Sequence, residues 1–113
     1  PRRILPLNPA THPEQRGADV IDEIWLAGTE FCDDLAGSLQ EALQQGRIVT
    51  GSDTMSSGWY HPSGDTIEIS SWAFNYDDVF GPTVAHKGIH REFPSYSESM
   101  VWQSEDDCFA ASL

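Results

Sequence analysis

Two histidines, His86 and His90, are the residues of this chain whose type and spacing most directly predict chemistry. Side chains four residues apart on an α-helix lie on the same face, so these two imidazoles can bind one metal ion. Small and apolar residues lie beside the pair, at Val84, Ala85 and Ile89, and predict that this face is buried. Buried imidazoles need polar partners, and a metal ion would satisfy both. The alternative is a helix with two half-exposed histidines that bind nothing.

Lys87 follows His86 directly, at the position where the zinc-hydrolase motif H-E-x-x-H carries a glutamate. That glutamate takes a proton from the water that the metal activates. A charged lysine has no acceptor atom, and a nearby dication would repel it. A lowered lysine pKa could in principle restore a base, but the longer side chain would misplace the acceptor. The sequence therefore predicts a metal site without its general base, inactive as written.

A catalytic zinc ion normally has three protein ligands, so two histidines need a third. Glu105 is the first candidate, because Phe109 lies four residues later on the same helical face and could pack inward while Glu105 turns to the metal. Glu98, eight residues after His90, is the rival. We expect the acidic pair at 106–107 to be a solvated helix surface, although either carboxylate could orient a ligating histidine.

Two runs of residues together resemble a known family. Residues 83–90 read T-V-A-H-x-x-x-H, and residues 105–113 read E-x-x-x-F-A-A-x-L. This pair of runs resembles the ImmA/IrrE-like branch of the gluzincin metallopeptidases, and compact metallopeptidase domains at the C-termini of bacterial toxins look similar. The resemblance covers about residues 59–113. Gly88 is a small departure, since glycine in that family usually precedes the second histidine directly.

The resemblance implies a site and an activity. It makes His86, His90 and Glu105 ligands of a zinc cofactor and favours Glu105 over Glu98. It implies hydrolysis of a peptide bond in a polypeptide substrate, with a general-base glutamate at the catalytic position that Lys87 occupies in this chain. It also implies a compact α+β zincin-like domain, with helices packed on a small antiparallel sheet.

Further candidates come from the expected positions of polar side chains near the metal. In zincins a tyrosine or histidine opposite the metal often stabilises the transition state. Tyr96 is the first candidate, because it lies between the two helices that would carry the metal ligands. Tyr60 and His61 are weaker candidates, a hairpin aromatic and a turn histidine. The strand expected at 66–70 could bind a substrate backbone if it lies at a sheet edge.

The elements that position these residues begin with two helices. Apolar residues recur at three-to-four spacing over residues 17–45, which predicts amphipathic helix. Gly28 and Thr29 predict a break, with Thr29 as the N-cap of the second helix. Gly46 is a suitable helix terminator.

Strand and helix signals follow in the second half of the chain. Pro82 suits the first turn of a helix, and Pro94 ends that helix. Ser95 or Ser97 could cap the last one. We expect, in order, a strand at 47–50, a hairpin at 59–70, a helix at 82–92 and a helix at 98–112.

Length and charge limit the classes of protein. The chain has 113 residues, which predicts a single domain at 17–113 after an irregular, proline-rich arm at 1–16. A net charge of −12 argues against nucleic acid and anionic membranes as partners, and favours a neutral or cationic polypeptide. No apolar run approaches the roughly 20 residues that cross a bilayer, so we expect a soluble protein.

Two cysteines, Cys32 and Cys108, are too few for a disulfide scaffold. Each lies in an expected helix beside apolar residues, so we expect buried free thiols, with a single disulfide as the alternative. The compartment in which the protein works stays open.

Three functions remain to be distinguished. The first is a metallopeptidase toxin or effector domain, delivered or secreted within a longer bacterial chain or bound by a neutralising partner, whose activity a Glu→Lys change at Lys87 has silenced. The second is a pseudoenzyme or non-catalytic protein-binding module with a structural metal or none. The third is an acidic immunity or adaptor protein without a metal. Restoring glutamate at position 87 would distinguish the first from the others.

Overall fold

The chain folds as helices packed against a small sheet, in a computed structural model that describes residues 13–52 and 55–109. Predictions for residues 1–12, 53–54 and 110–113 lie outside the described residues. The longer helices are α1 (Pro13–Leu26), α2 (Glu30–Gln44), α3 (Asp77–Glu92) and α4 (Glu98–Glu105). The strands are β1 (Ile48–Gly51), β2 (Gly58–His61) and β3 (Thr66–Ser70), and short 3-10 helices span Ser71–Asn75 and Asp106–Cys108. The predicted α+β class is confirmed.

The predicted break between the first two helices is confirmed. Thr29 is the N-cap of α2, and its hydroxyl oxygen accepts a hydrogen bond from the Cys32 amide at 3.1 Å. Gly46 follows the end of α2 with a φ of +71°, a left-handed conformation that glycine adopts without steric cost. The chain therefore turns directly from α2 into β1.

The first helix begins within the range predicted for the N-terminal arm, at Pro13. Arg16, assigned to the arm, is buried in the fold. Its guanidinium donates hydrogen bonds to the Phe74 carbonyl at 2.9 Å and to Asp77 Oδ1 at 2.8 Å, and lies over the Phe80 ring. A buried arginine needs such partners, and they fix the first turns of α1 against the start of α3.

The sheet is mixed rather than wholly antiparallel, with strand order β1-β3-β2. The predicted hairpin is confirmed, since β2 and β3 pair antiparallel with Tyr60 opposite Ile67. β1 pairs parallel with β3, with Ile48 opposite Ile67, because the chain leaves β1, crosses the sheet and places β2 on the far side of β3. β3 is thus the central strand. Among the strands that the structure describes, β1 and β2 lie at the edges of the sheet, and β2 contacts α3.

α3 begins earlier than predicted, at Asp77 instead of Pro82. Asp77 and Asp78 lie in its first turn, where carboxylates interact favourably with the helix dipole. Pro82 lies inside the helix and leaves the Asp78 carbonyl without the usual amide donor. The cost is limited because this carbonyl lies near the start of the helix. Among the helices that the structure describes, none combines the length and apolarity that crossing a bilayer requires.

Cys32 and Cys108 form a disulfide, so the expectation of free thiols is wrong. Both residues are almost fully buried, with exposures of 0% and 1%, as buried free cysteines would also be. Burial and apolar neighbours therefore could not distinguish the two states from sequence. The fold brings the first turn of α2 to the 3-10 helix after α4, with the two Cα atoms 5.6 Å apart.

Candidate metal centre

α3 and α4 bring two histidines and a glutamate together. His86 and His90 lie one turn apart on α3, and their ring centroids are 5.0 Å apart. Glu98 is the first residue of α4, whose N-cap is Ser97. One Glu98 oxygen lies 2.7 Å from His90 Nε2, and the other lies 3.3 Å from His86 Nε2. The potential ligand atoms of these three residues all lie within 4.8 Å of one another.

Glu105 contacts the opposite side of the same imidazole. Its Oε2 lies 2.7 Å from His86 Nδ1, and both residues are buried, with exposures of 5% and 4%. Glu105 lies seven positions after Glu98 on α4, or about 10 Å along a helix axis, so the two carboxylates cannot occupy one position. The geometry therefore favours Glu98, the rival candidate, as the third ligand. Glu105, the first candidate, takes the position of a carboxylate that orients a ligating histidine.

The protons on His86 provide a test of whether a metal fits this site. A neutral imidazole carries one N–H, yet each nitrogen of His86 faces a carboxylate. If Nδ1–H donates to Glu105, then Nε2 directs a lone pair towards Glu98. That contact is repulsive unless a second proton or a cation lies there. Two imidazole nitrogens and a carboxylate oxygen are the donor set that zinc prefers, so the residues fit the ion.

Trp102 covers the His86 ring. It lies on α4 between the two glutamates and meets His86 edge to face, with the ring centroids 4.6 Å apart. Its own side chain is 59% exposed, so it lies between the imidazole and solvent. The sequence has four tryptophans, so the part of the fluorescence that a Trp102→Phe substitution removes would report changes at this imidazole.

A cleft opens beside the metal centre, with a volume of about 460 Å³. It lies between the β2–β3 hairpin on one side and α3 with the start of α4 on the other. Its lining residues are Trp59, Tyr60, Pro62, Lys87, His90, Arg91, Pro94 and Glu98. A ligand in this cleft would therefore contact the edge strand, His90 and Lys87 together.

Lys87 is half-buried in the wall of this cleft. Loss of hydration lowers the pKa of its ammonium, and the negative charges of Glu98 and Glu105 oppose that change. Among the carboxylates that the structure describes, none forms an ion pair with Lys87 within 4.0 Å. Position 87 thus carries a cationic group on the wall of the cleft and no acceptor atom.

A polar network behind the cleft was missed by sequence reasoning. Asp65 accepts two hydrogen bonds from Arg91, at 2.8 and 3.0 Å, and one from the Tyr60 hydroxyl at 2.9 Å. The Arg91 bonds, followed by the Tyr60 bond, lower the pKa of Asp65. Burial and the bond to Asp65 raise the pKa of Tyr60. The only available signal was an aspartate in a hairpin turn, which predicts turn chemistry and not a partner on α3.

The remaining candidates lie in other contacts. Tyr96 stacks on Phe93 and Phe31, with centroid distances of 5.0 and 6.2 Å, and among the described residues it does not line the cleft. His61 lies 2.9 Å from a Glu68 oxygen on the exposed face of the hairpin. The strand at 66–70 is central, so among the described strands β2 takes its place as the edge that could pair with a peptide.

Comparisons of this chain with protein-family models, curated proteins and solved structures find no match. The resemblance to the gluzincin metallopeptidases therefore rests on the motif residues alone and stays a prediction. The function has to be argued from the geometry of the site.

Proposed function

We propose that this domain binds one zinc ion through His86, His90 and Glu98 in a site of metallopeptidase type, and that Lys87 prevents this chain from hydrolysing peptide bonds. The observation that carries the proposal is the convergence of two imidazoles and a carboxylate within 4.8 Å, on two different helices. Two histidines that merely lie on a helix surface would not be expected to share a glutamate from a second helix, as His86 and His90 share Glu98.

The donor set favours zinc over the common hard cations. Ca²⁺ and Mg²⁺ prefer oxygen ligands, whereas two imidazoles with one carboxylate suit Zn²⁺. A zinc ion supplies Lewis acidity that activates water and polarises a carbonyl group. Glu105 holds His86 in the tautomer whose Nε2 lone pair is free to bind, because its carboxylate accepts from Nδ1–H.

Lys87 determines what the site does in this chain. Hydrolysis needs a group that accepts a proton from water and returns it to the leaving amine. A protonated lysine cannot accept that proton, because its ammonium has no acceptor atom. Burial lowers the pKa of the Lys87 ammonium, and the negative charges of Glu98 and Glu105 oppose that change. The edge strand β2 and the cleft could still bind a polypeptide. We therefore propose binding without cleavage.

Substitution Lys87→Glu tests the assignment of the metallopeptidase type. We expect proteolysis of an unfolded protein substrate to appear, to disappear on adding a chelator, and to return with zinc. Lys87→Gln is the matched control, because it also removes the charge but provides no carboxylate base, and it should stay inactive. The measurement is cleavage of a fluorescently labelled casein, followed by mass spectrometry of the products.

A zinc-bound Lys87→Glu protein without proteolysis would favour the second candidate function, a non-catalytic binding module. The observation that favours this candidate is the half-buried Lys87 without an ion-pair partner among the described carboxylates, which is more useful for binding an anion than for hydrolysis.

A further inference from the structure

Among the basic side chains that the structure describes, Lys87 differs from the others because it has no ion-pair partner within 4.0 Å. Arg16, Arg47 and Arg91 each form an ion pair with an aspartate, at 2.8, 3.8 and 2.8 Å. Within the described ranges Lys87 is the exception, although the sequence has eighteen Asp and Glu for six Lys and Arg. A half-buried cation without a close partner in so acidic a protein indicates a site for an external anion.

Arg91 lines the same cleft but is not available to a ligand. Its guanidinium already donates to Asp65, to Glu41 and to the carbonyl and hydroxyl of Ser38, at distances of 2.7 to 3.0 Å. The five N–H donors of an arginine are therefore largely committed to the protein. This leaves Lys87 as the cation of the cleft wall that can accept a new anionic partner.

Metal binding would strengthen the attraction of the cleft for an anion. Without a metal, the negative charges of both Glu98 and Glu105 act on Lys87 through space. When Glu98 and two neutral histidines bind a zinc ion, the group carries a net positive charge, because one carboxylate balances only half of the dication. The cleft then has two positive centres, the metal site and Lys87, beside the aromatic side chains of Trp59 and Tyr60.

We propose that this cleft selects ligands that carry a carboxylate beside an apolar group, above all the C-terminal end of a polypeptide, and that Lys87 pairs with this carboxylate. The inference rests on the proposed function, since the metal must offset the charge of Glu98. A single carboxylate matches one ammonium, whereas a phosphate dianion would meet more repulsion from a chain of net charge −12. Trp59 and Pro94 offer apolar surfaces for the side chain of the C-terminal residue, and the edge of β2 offers main-chain groups that a free small acid would not use.

The test is calorimetric titration of zinc-loaded protein with acetyl-alanyl-phenylalanine, as the free acid and as its C-terminal amide. Phenylacetate, titrated separately, represents a small acid without a peptide group. The variants are Lys87→Met, which keeps the length of the side chain without its charge, and Lys87→Arg, which keeps the charge. Zinc content and thermal unfolding are measured on every sample, so that loss of the metal or of the fold is detected independently.

We expect the free acid to bind at least about tenfold more tightly than the amide, as a charge-assisted contact in a partly desolvated cleft should. Lys87→Met should abolish this preference and Lys87→Arg should retain most of it. Phenylacetate should bind more weakly than the peptide acid; equal affinity would support the carboxylate contact but identify small acids as its source. Equal binding of acid and amide to protein that carries zinc would overturn the inference and leave the proposed function intact. Absence of zinc from folded protein would overturn both.

Discussion

His86 is the central residue of the candidate metal site, because its two ring nitrogens contact two different carboxylates. Glu98 faces Nε2 and also meets His90, so its oxygens lie where a shared cation would be bound. Glu105 faces Nδ1 from a buried position, so it determines the tautomer and the orientation of the ring. One glutamate is therefore expected to be a ligand and the other a positioning residue.

Substitutions of the two glutamates should separate these roles. We expect Glu98→Gln to weaken zinc binding by more than about 100-fold, and Glu105→Gln by about 10- to 100-fold, the range for a partner that orients a ligand. Competition with a chromophoric chelator measures both affinities. Asp106→Asn, an exposed change next to Glu105, is the control and should leave the affinity unchanged. A larger loss for Glu105→Gln than for Glu98→Gln would assign the ligand to Glu105.

The sequence predicted the histidine pair because helical periodicity alone places side chains four residues apart on one face. The choice between Glu98 and Glu105 could not be predicted in the same way. Both lie on α4, and which one meets the Nε2 atoms depends on how α4 crosses α3, a tertiary property. The motif pattern favoured Glu105, and the packing of the two helices favours Glu98.

The position of the histidines depends on how α3 packs against α2. Gly88 lies between His86 and His90 and faces α2, where a Cβ atom would come within 2.7 Å of Leu39 Cδ2 and 2.9 Å of Leu35 Cδ1. The departure of Gly88 from the family pattern thus has a local explanation. Glycine permits the close approach of α3 to α2, and this approach determines how deeply His86 and His90 are buried.

Gly88→Ala should therefore destabilise the fold in spite of the helix propensity of alanine. We expect the free energy of unfolding to fall by about 1–3 kcal/mol, the usual cost of overpacking a core. Gly37→Ala is the matched control, because Gly37 also lies in a helix, is exposed, and has no heavy atom within 4 Å of the added Cβ. It should raise the free energy of unfolding by about 0.5–1 kcal/mol. Urea denaturation measures both; equal effects of the two substitutions would contradict this packing.

Helices, the hairpin and their caps were predictable because their signals are local. Thr29 and Ser97 both cap helices as side chains of their type should. The parallel pairing of β1 was not predictable, since it depends on where β2 is placed after the chain crosses the sheet. The early start of α3 was also missed, because Pro82 resembles a first-turn proline although the helix begins five residues before it.

At the scale of the whole molecule, the Cys32–Cys108 disulfide links α2 to the segment after α4. The two cysteines are 76 residues apart in sequence, and closing so long a loop in the unfolded chain is worth about 4 kcal/mol in the chain-entropy model. Glu105 lies three residues before Cys108, so the same link holds the end of α4 against the core. Stability and the orientation of His86 are therefore coupled through this bond.

The double substitution Cys32→Ser with Cys108→Ser should lower the free energy of unfolding by about 2–4 kcal/mol. It should also weaken zinc binding, because Glu105 loses part of its support. Wild-type protein denatured in the presence of a strong reductant should behave like the variant, which controls for the added hydroxyls. Unchanged stability in both samples would show that the disulfide contributes little to the free energy of unfolding. Unchanged zinc affinity would show that the metal site does not depend on the disulfide.

The central claim is that His86, His90 and Glu98 bind one metal ion, and zinc content per chain tests it most directly. The measurement is elemental analysis of protein purified without chelator, with His86→Ala treated in parallel and its fold verified by circular dichroism. We expect about one zinc ion per wild-type chain and a near-complete loss in the variant. Zinc absent from folded wild-type protein, or retained equally by His86→Ala, would contradict it.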